Sequence, residues 1–195
     1  MLSFTLDTNC IIAVDEERPE AAAVRTLAKA HRLKAALVGV VAISASERQR
    51  DGGTLESFQD FKERLQALDL ADLELLEPMM YWDITFWDFG LWSDENMQVL
   101  ERSIHDILFP NIEFFWQNYC ASRNLDQSTT QPDKKWKNAK CDVQAFWSHA
   151  YRKRQVFVTS DMNFHAASRK ARLLQLSGGK IATPQEAVTL LSGAA

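Results

Sequence analysis

Four acidic side chains stand at positions where a parallel sheet would gather them. Asp7 and Asp161 directly follow short apolar runs that are typical of buried strands. Glu47 opens a predicted helix after a third such run, and Asp142 lies early in the helix that precedes the strand before Asp161. Because parallel strands end at the same edge of a sheet, these four acids can converge there.

Carboxylates gathered in this way repel one another unless a cation lies among them. Mg²⁺ and Mn²⁺ prefer oxygen ligands of this kind, so the cluster predicts a site for one or two divalent ions. Such ions can lower the pKa of a water and stabilise the attacking and leaving oxygens of a phosphodiester. Each acid taken alone is better explained as a helix cap, a surface charge or an ion-pair partner, and only the coincidence of four favours hydrolysis.

The elements that must position these acids alternate between strands and helices. Residues 2–6 alternate in polarity, and residues 36–41 form a β-branched run typical of a buried strand. The helix predicted over 140–154 carries Asp142 in line with an apolar stripe, where an uncompensated charge would be costly. This alternation predicts an α/β fold with a central parallel sheet flanked by helices and joined by right-handed crossovers.

The segment 77–135 differs in character from the rest of this 195-residue chain. It is rich in Trp and Phe and predicts two helices separated by Pro110, so we interpret it as a helical insertion within one domain spanning 1–195. Its aromatic side chains could stack on bases, as in proteins that bind single strands. They could instead fill a core or a dimer contact, and aromatic residues at helical spacing favour burial.

The net charge of −4 conceals an asymmetry along the chain. Residues 133–195 carry 11 Lys and Arg against 4 Asp and Glu, whereas residues 1–132 carry 11 against 22. Such an excess can hold a phosphate backbone, although charge runs often simply face water. It begins with Lys134, Lys135 and Lys137. The predicted backbone contacts are Lys140, Arg152, Lys153, Arg154, Arg169, Lys170 and Arg172.

Several classes of protein are disfavoured by what the sequence lacks. No stretch is apolar enough to span a membrane, and the chain enters a strand without a signal segment, so we expect a cytoplasmic protein with no membrane partner. Cys10, Cys120 and Cys141 are widely spaced and form no CxxC motif. They are therefore expected to be small core residues and not a zinc site.

These motifs, taken in order, resemble those of PIN-domain nucleases. The resemblance covers roughly residues 1–50 and 138–190 and leaves the insertion outside it. It rests on the run Phe4–Asn9, the pair Ser46-Glu47 after a β-branched strand, Asp142 at 17 residues before Thr159, the run Thr159–Phe164, and the ending Ile181–Pro184.

The resemblance implies a Mg²⁺- or Mn²⁺-dependent ribonuclease with sheet order 3-2-1-4-5. The four acids would be its catalytic and metal-binding set. RNA is the implied substrate. Many compact members of the family are toxins of toxin–antitoxin pairs, so an antitoxin or other protein is a candidate partner. A second copy of the chain is a further candidate, because the aromatic segment could form a dimer contact. Asn163 stands where many members carry another Asp, which implies a weaker second metal. Polar residues that would support the site or substrate are Asn9, Thr159, Ser160 and Asn163.

Other interpretations of the leading strand compete with a nuclease. A haloacid-dehalogenase-type phosphatase requires a second acid two residues after Asp7, where this chain has Asn9. A receiver-type phosphoacceptor would use Asp7 alone and would have little need of Glu47 and Asp142. The more serious alternative is a non-catalytic PIN-like module that binds RNA or a protein, because the sequence does not show that the four acids converge.

Overall fold

The computed structural model describes residues 1–43, 57–81 and 84–193. Its strands are β1 (Ser3–Leu6), β2 (Leu37–Val41), β3 (Glu74–Leu76), β4 (Val156–Val158) and β5 (Lys180–Ala182). Its helices are α1 (Thr8–Asp15), α2 (Ala21–Arg32), α3 (Phe58–Ala67), α4 (Glu95–Leu108), α5 (Trp116–Ser122), α6 (Lys134–Tyr151), α7 (Met162–His165), α8 (Ala167–Ser177) and α9 (Pro184–Ser192).

The five strands form one sheet in the order β3-β2-β1-β4-β5, and every neighbouring pair is parallel. This confirms both the predicted α/β class and the order 3-2-1-4-5. β1 is the central strand and pairs with β2 on one side and β4 on the other. The residue that follows β1 therefore lies in the middle of the carboxyl edge.

Both faces of the sheet are covered, because neighbouring residues on each strand enter different core clusters. Val40 and Val158 belong to the cluster built with α1, α2, α3 and α9. Val41 and Phe157 belong to the cluster built with α4, α6, α7 and α8. Since strand side chains alternate between faces, the helices form two layers with the sheet between them. This burial on two sides explains why even Thr5 of β1 is fully buried.

The segment 77–135 is part of the second core layer. Ile104 and Leu108 of α4 lie in the same buried cluster as Trp147 of α6 and Phe157 of β4. The Trp147 indole donates a hydrogen bond of 3.1 Å to the carbonyl of Met97, which joins α4 to α6. The segment therefore contributes to the domain's main core in addition to carrying aromatic residues.

Helix α6 begins earlier than the sequence pattern predicts. The pattern predicts a helix over 140–154, whereas α6 runs from Lys134 to Tyr151, because Asp133 caps it by accepting a hydrogen bond of 2.8 Å from the Trp136 amide. Asp142 therefore lies in the middle of the helix and not near its start. In the described ranges of the chain, no helix is both long and apolar enough to cross a membrane.

Candidate active site

Asp7 and Thr159 emerge side by side at the carboxyl edge of the sheet. Leu6 of β1 is in register with Val158 of β4, and the Asp7 amide continues the ladder by donating to the Val158 carbonyl over 2.9 Å. Thr159 Oγ1 donates a hydrogen bond of 2.7 Å to Asp7 Oδ2. The parallel pairing thus brings together two predicted site residues that are 152 positions apart.

The Asp7 carboxylate is buried and held by donors on three residues. It caps α1, with Oδ1 accepting from the Thr8 amide at 2.8 Å. Its Oδ2 accepts from Asn9 Nδ2 at 2.6 Å as well as from Thr159. A carboxylate has about four lone-pair positions, so this arrangement fixes its orientation and leaves one position for a ligand.

Asn9 ties the start of α1 to the loop after β4. Its Nδ2 also lies 2.8 Å from Thr159 Oγ1, and its Oδ1 accepts from the Ser160 amide at 3.1 Å. Thr159 Oγ1 in turn accepts from the Asp161 amide at 3.0 Å. The structure therefore brings the predicted supporting residues Asn9, Thr159 and Ser160 to Asp7, with Ser160 contributing its backbone.

Asp161 caps the short helix α7, where its Oδ1 accepts from the Asn163 amide at 2.8 Å. The side-chain oxygen of Asn163 accepts a hydrogen bond from the Arg169 guanidinium of α8. This contact uses one of the two lone pairs of the oxygen with which Asn163 would coordinate an ion and leaves its Nδ2 group as a donor. It also places Arg169 beside Asn163, and its contact with a nucleic-acid backbone stays a prediction.

Asp142 reaches the same edge from α6. Burial, followed by the charges of Asp7 and Asp161, raises the pKa of Asp142 well above its ordinary value. Burial and, to a smaller extent, Asp161 also raise the pKa of Asp7 to about 6, although the hydrogen bonds from Thr159, Thr8 and Asn9 act in the opposite direction. The three carboxyl groups therefore lie within electrostatic reach of one another.

The chemistry of these three acids fits a hard divalent cation. Their mutual repulsion is relieved by a positive charge, and carboxylate oxygens are the ligands that Mg²⁺ and Mn²⁺ prefer. Asp142 makes no hydrogen bond or ion pair to another described residue, so none of these residues occupies its oxygens. Within the described parts of the chain, no group of three or more His, Cys, Asp or Glu side chains is arranged so that it could hold a metal ion. Glu47, the fourth predicted acid, lies outside the described residues.

Two of the residues predicted to contact a nucleic-acid backbone are buried inside the protein, so the prediction is wrong for these two. Lys140 is 1% exposed and its ammonium pairs with Glu101 at 3.1 Å. Arg154 is 4% exposed and donates to Glu74 and to the carbonyls of Phe4 and Leu37. Neither side chain is available to a phosphate.

The remaining predicted cations divide between the two edges of the sheet. Arg152 and Lys153 lie in the connection that leads into β4, which in a parallel sheet is at the amino edge, opposite Asp7. Arg152 also pairs with Glu77. Lys170 and Arg172 lie on α8 with Arg169, so the α8 group is better placed to hold a backbone near the acids.

The three cysteines are buried and form no disulfide, as predicted for core residues. One residue that shapes the carboxyl edge of the sheet was not predicted from the sequence. Nε2 of the His165 ring lies 2.9 Å from the Thr159 carbonyl and helps to fix the loop after β4. Nothing in the local sequence pattern of His165 indicates this role, since the contact depends on how α7 turns back after β4.

No protein-family model matches this chain, and comparison with curated proteins gives no match either.

Proposed function

We propose that this protein is a Mg²⁺- or Mn²⁺-dependent ribonuclease of the PIN type. The observation that carries the proposal is that Asp7, Asp142 and Asp161 come from three separate elements to the carboxyl edge, where Asp161 raises the pKa of Asp7 and both of them raise the pKa of Asp142. Glu47 is proposed as the fourth acid. Clefts at the carboxyl ends of parallel strands are the usual place for ligands in open α/β sheets.

The proposed ligands need not enclose the ion completely. Mg²⁺ dehydrates reluctantly and is commonly held by one or two carboxylates together with waters and substrate phosphates. When bound, a divalent ion would supply positive charge that lowers the pKa of a water and stabilises charge on the phosphodiester. Asp7 would hold it directly, and Asp142 and Asp161 would contribute directly or through its waters.

Other side chains of the edge are proposed to orient these acids and the substrate. Thr159 and Asn9 fix the direction of the Asp7 carboxylate through hydrogen bonds of 2.7 and 2.6 Å. Arg169 makes no ion pair with another described residue, and its guanidinium is proposed to meet a phosphodiester oxygen. The Nδ2 group of Asn163 offers a second donor on the same side.

The test is cleavage of an end-labelled single-stranded RNA by wild-type and Asp142→Asn protein, each with Mn²⁺ and with chelator. We expect cleavage only by the wild-type protein with metal. Asp142 is half-buried with a raised pKa, so a neutral amide should be accommodated there without loss of the fold. Asp88→Asn is the matched control, because Asp88 is an exposed acid that is not one of the proposed ligands.

Equal cleavage by wild-type and Asp142→Asn protein would contradict the proposed role of Asp142. If neither protein cleaves RNA or single-stranded DNA, the non-catalytic module becomes the better account. Binding of Mn²⁺ by itself, measured as an increase in the melting temperature, separates a failure of metal binding from a failure to find the substrate.

A further inference from the structure

A cavity of about 400 Å³ lies between α5, the first turn of α6 and the loop that joins them. None of the three acids lines it. Five of its lining residues are aromatic. They come from two parts of the segment 77–135 and from α6, and they are Tyr81, Phe114, Phe115, Trp116 and Trp136. We call it the aromatic cavity.

The polar lining of the aromatic cavity consists of amides and hydroxyls. Gln117, Gln127 and Gln131 contribute amide groups, and Ser128 and Thr130 contribute hydroxyls. No charged side chain occurs among its described lining residues. A cavity of this chemistry fits a flat, uncharged ligand whose edge both donates and accepts hydrogen bonds. A nucleobase is such a ligand, and aromatic side chains with hydrogen-bonding neighbours are the usual way in which unpaired bases are recognised.

The aromatic rings are held in place while remaining accessible. Trp116 stacks on Tyr119 with ring centroids 5.3 Å apart and meets Trp136 edge-on at 5.4 Å. The Lys140 ammonium lies 3.5 Å from the centroid of Phe114, so one side of that ring is already covered. Phe115, by contrast, is 52% exposed. A rigid wall with an exposed ring suits stacking, because little side-chain freedom is lost on binding.

Three lysines lie at the rim of the cavity. Lys134 and Lys135 are exposed, and Lys137 is half-exposed, all at the start of α6 beside the lining residues Pro132 and Trp136. None of the three lysines makes an ion pair with another described residue. A neutral stacking cavity beside accessible cations is the combination with which proteins hold a single-stranded backbone and its bases.

We propose that the aromatic cavity is a base-stacking subsite for a single-stranded nucleic acid, with Lys134, Lys135 and Lys137 holding the adjoining phosphates. Trp136 and Asp142 lie on the same helix, six residues and therefore about 9 Å apart along its axis. A strand anchored in the cavity can thus extend toward the acids. This subsite rests on the proposed ribonuclease function for its substrate class. It adds to that function a place where a second part of the substrate is held.

The test measures binding in chelator, so that it does not depend on metal or cleavage. The probes are fluorescein-labelled oligouridylate and oligoadenylate, followed by fluorescence anisotropy, with Phe115→Ala and Trp116→Leu as the variants. Stacking is worth about 1–3 kcal/mol per base, so we expect Kd to rise at least ~5-fold in each variant. Trp92→Ala is the matched control, because Trp92 is 79% exposed and does not line the cavity.

The lysines are tested through the salt dependence of the same binding. A double variant, Lys134→Gln with Lys135→Gln, should reduce the slope of log K against log salt by about 0.7 for each phosphate that is no longer neutralised. Lys29→Gln is the control, since Lys29 is exposed on α2, which covers the other face of the sheet. An unchanged slope in the double variant would contradict the assignment of the rim.

The base subsite is overturned if Phe115→Ala and Trp116→Leu, shown to be folded by circular dichroism, bind both oligonucleotides as tightly as Trp92→Ala does. This outcome leaves the nuclease proposal untouched if wild-type protein still cleaves RNA with Mn²⁺. Conversely, binding that weakens in both cavity variants while wild-type protein cleaves nothing supports the subsite and counts against the nuclease. Failure of wild-type protein to bind either oligonucleotide also overturns the subsite.

Discussion

Asp7 is subject to opposing influences in the metal-free protein. Three hydrogen-bond donors favour its charged form, whereas burial and the neighbouring Asp161 disfavour it, and the net effect raises the pKa of Asp7 to about 6. A carboxyl group whose pKa is higher in the folded chain binds its proton more tightly there, so the free energy of unfolding falls as the pH rises from about 3.8 to about 6 and the loss is complete above that. The ionised Asp7 carboxylate therefore lowers the stability of the metal-free protein at neutral pH.

This balance gives a prediction for Asp7→Asn. Substitution of a direct ligand should reduce cleavage by at least about 100-fold, since loss of a residue that merely supports a ligand already costs about 10- to 100-fold. The free energy of unfolding in chelator should fall by no more than about 1 kcal/mol, because removal of a disfavoured charge offsets the loss of an acceptor for one of the hydrogen-bond donors. Urea unfolding at pH 7.5 and the RNA cleavage assay measure the two effects.

Mn²⁺ should raise the melting temperature of wild-type protein and leave that of Asp7→Asn nearly unchanged, because only the protein that binds the ion is stabilised by mass action. Cleavage at the wild-type rate by the Asn variant would remove Asp7 from the proposed mechanism.

At the scale of the elements, the packing of α4 against α6 depends on a buried ion pair. Glu101 of α4 accepts from Lys140 and Gln144 of α6 at 3.1 Å each, and from the Tyr81 hydroxyl at 2.8 Å. Burial lowers the pKa of Lys140, and the charge of Glu101 acts in the opposite direction. The ammonium therefore depends on this carboxylate, together with the ring of Phe114, for its compensation.

Glu101→Gln should lower the free energy of unfolding by about 3–5 kcal/mol, the usual cost of leaving one partner of a buried pair uncompensated. The double variant Glu101→Gln with Lys140→Met should recover much of this loss, because it buries no net charge and keeps a hydrogen-bonding amide for Gln144. Urea unfolding of both single variants and the double variant completes the double-mutant cycle. Additive losses in the double variant would show that the pair does not join the helices.

At the scale of the whole molecule, a neutral histidine of α6 packs against the central strand. His149 is fully buried, and its Nδ1 is 3.0 Å from Thr5 Oγ1 of β1. Burial and the charge of Arg154 lower the pKa of His149 to about 3. In the unfolded chain this imidazole would titrate near 6.5, so between these values the unfolded state binds the proton more readily.

The contribution of His149 to stability is therefore complete above about pH 6.5 and is lost as the pH falls toward about 3. His149→Gln removes this titration and keeps a polar group for Thr5. At about 1.4 kcal/mol per pH unit, the free energy of unfolding of the variant relative to wild type should improve by ~2 kcal/mol between pH 7 and pH 5. Urea unfolding at both values measures it. A difference that stays constant would contradict a buried neutral imidazole.

The sequence alone determined those features that depend on neighbours along the chain. Polarity patterns located β1, β2 and β4, and the order of strands and helices predicted a parallel sheet. The residue types at Thr183 and Glu186 are those of a capping box, and both of its hydrogen bonds form. Asp7 and Asp161 could be assigned to one edge because parallel strands must end on the same side.

Only the tertiary structure decided the partners of residues far apart in the chain. Lys140 belongs to a basic run, and its burial follows from Glu101, 39 positions away, which no local pattern indicates. Arg154 likewise lies inside because carbonyls near the starts of β1 and β2 accept its hydrogen bonds. A cavity lined by Tyr81 and Trp136 requires elements 55 residues apart to meet. The physical reason is common to all three: a charge or ring is exposed or buried according to what packs against it, and packing is settled by the whole fold.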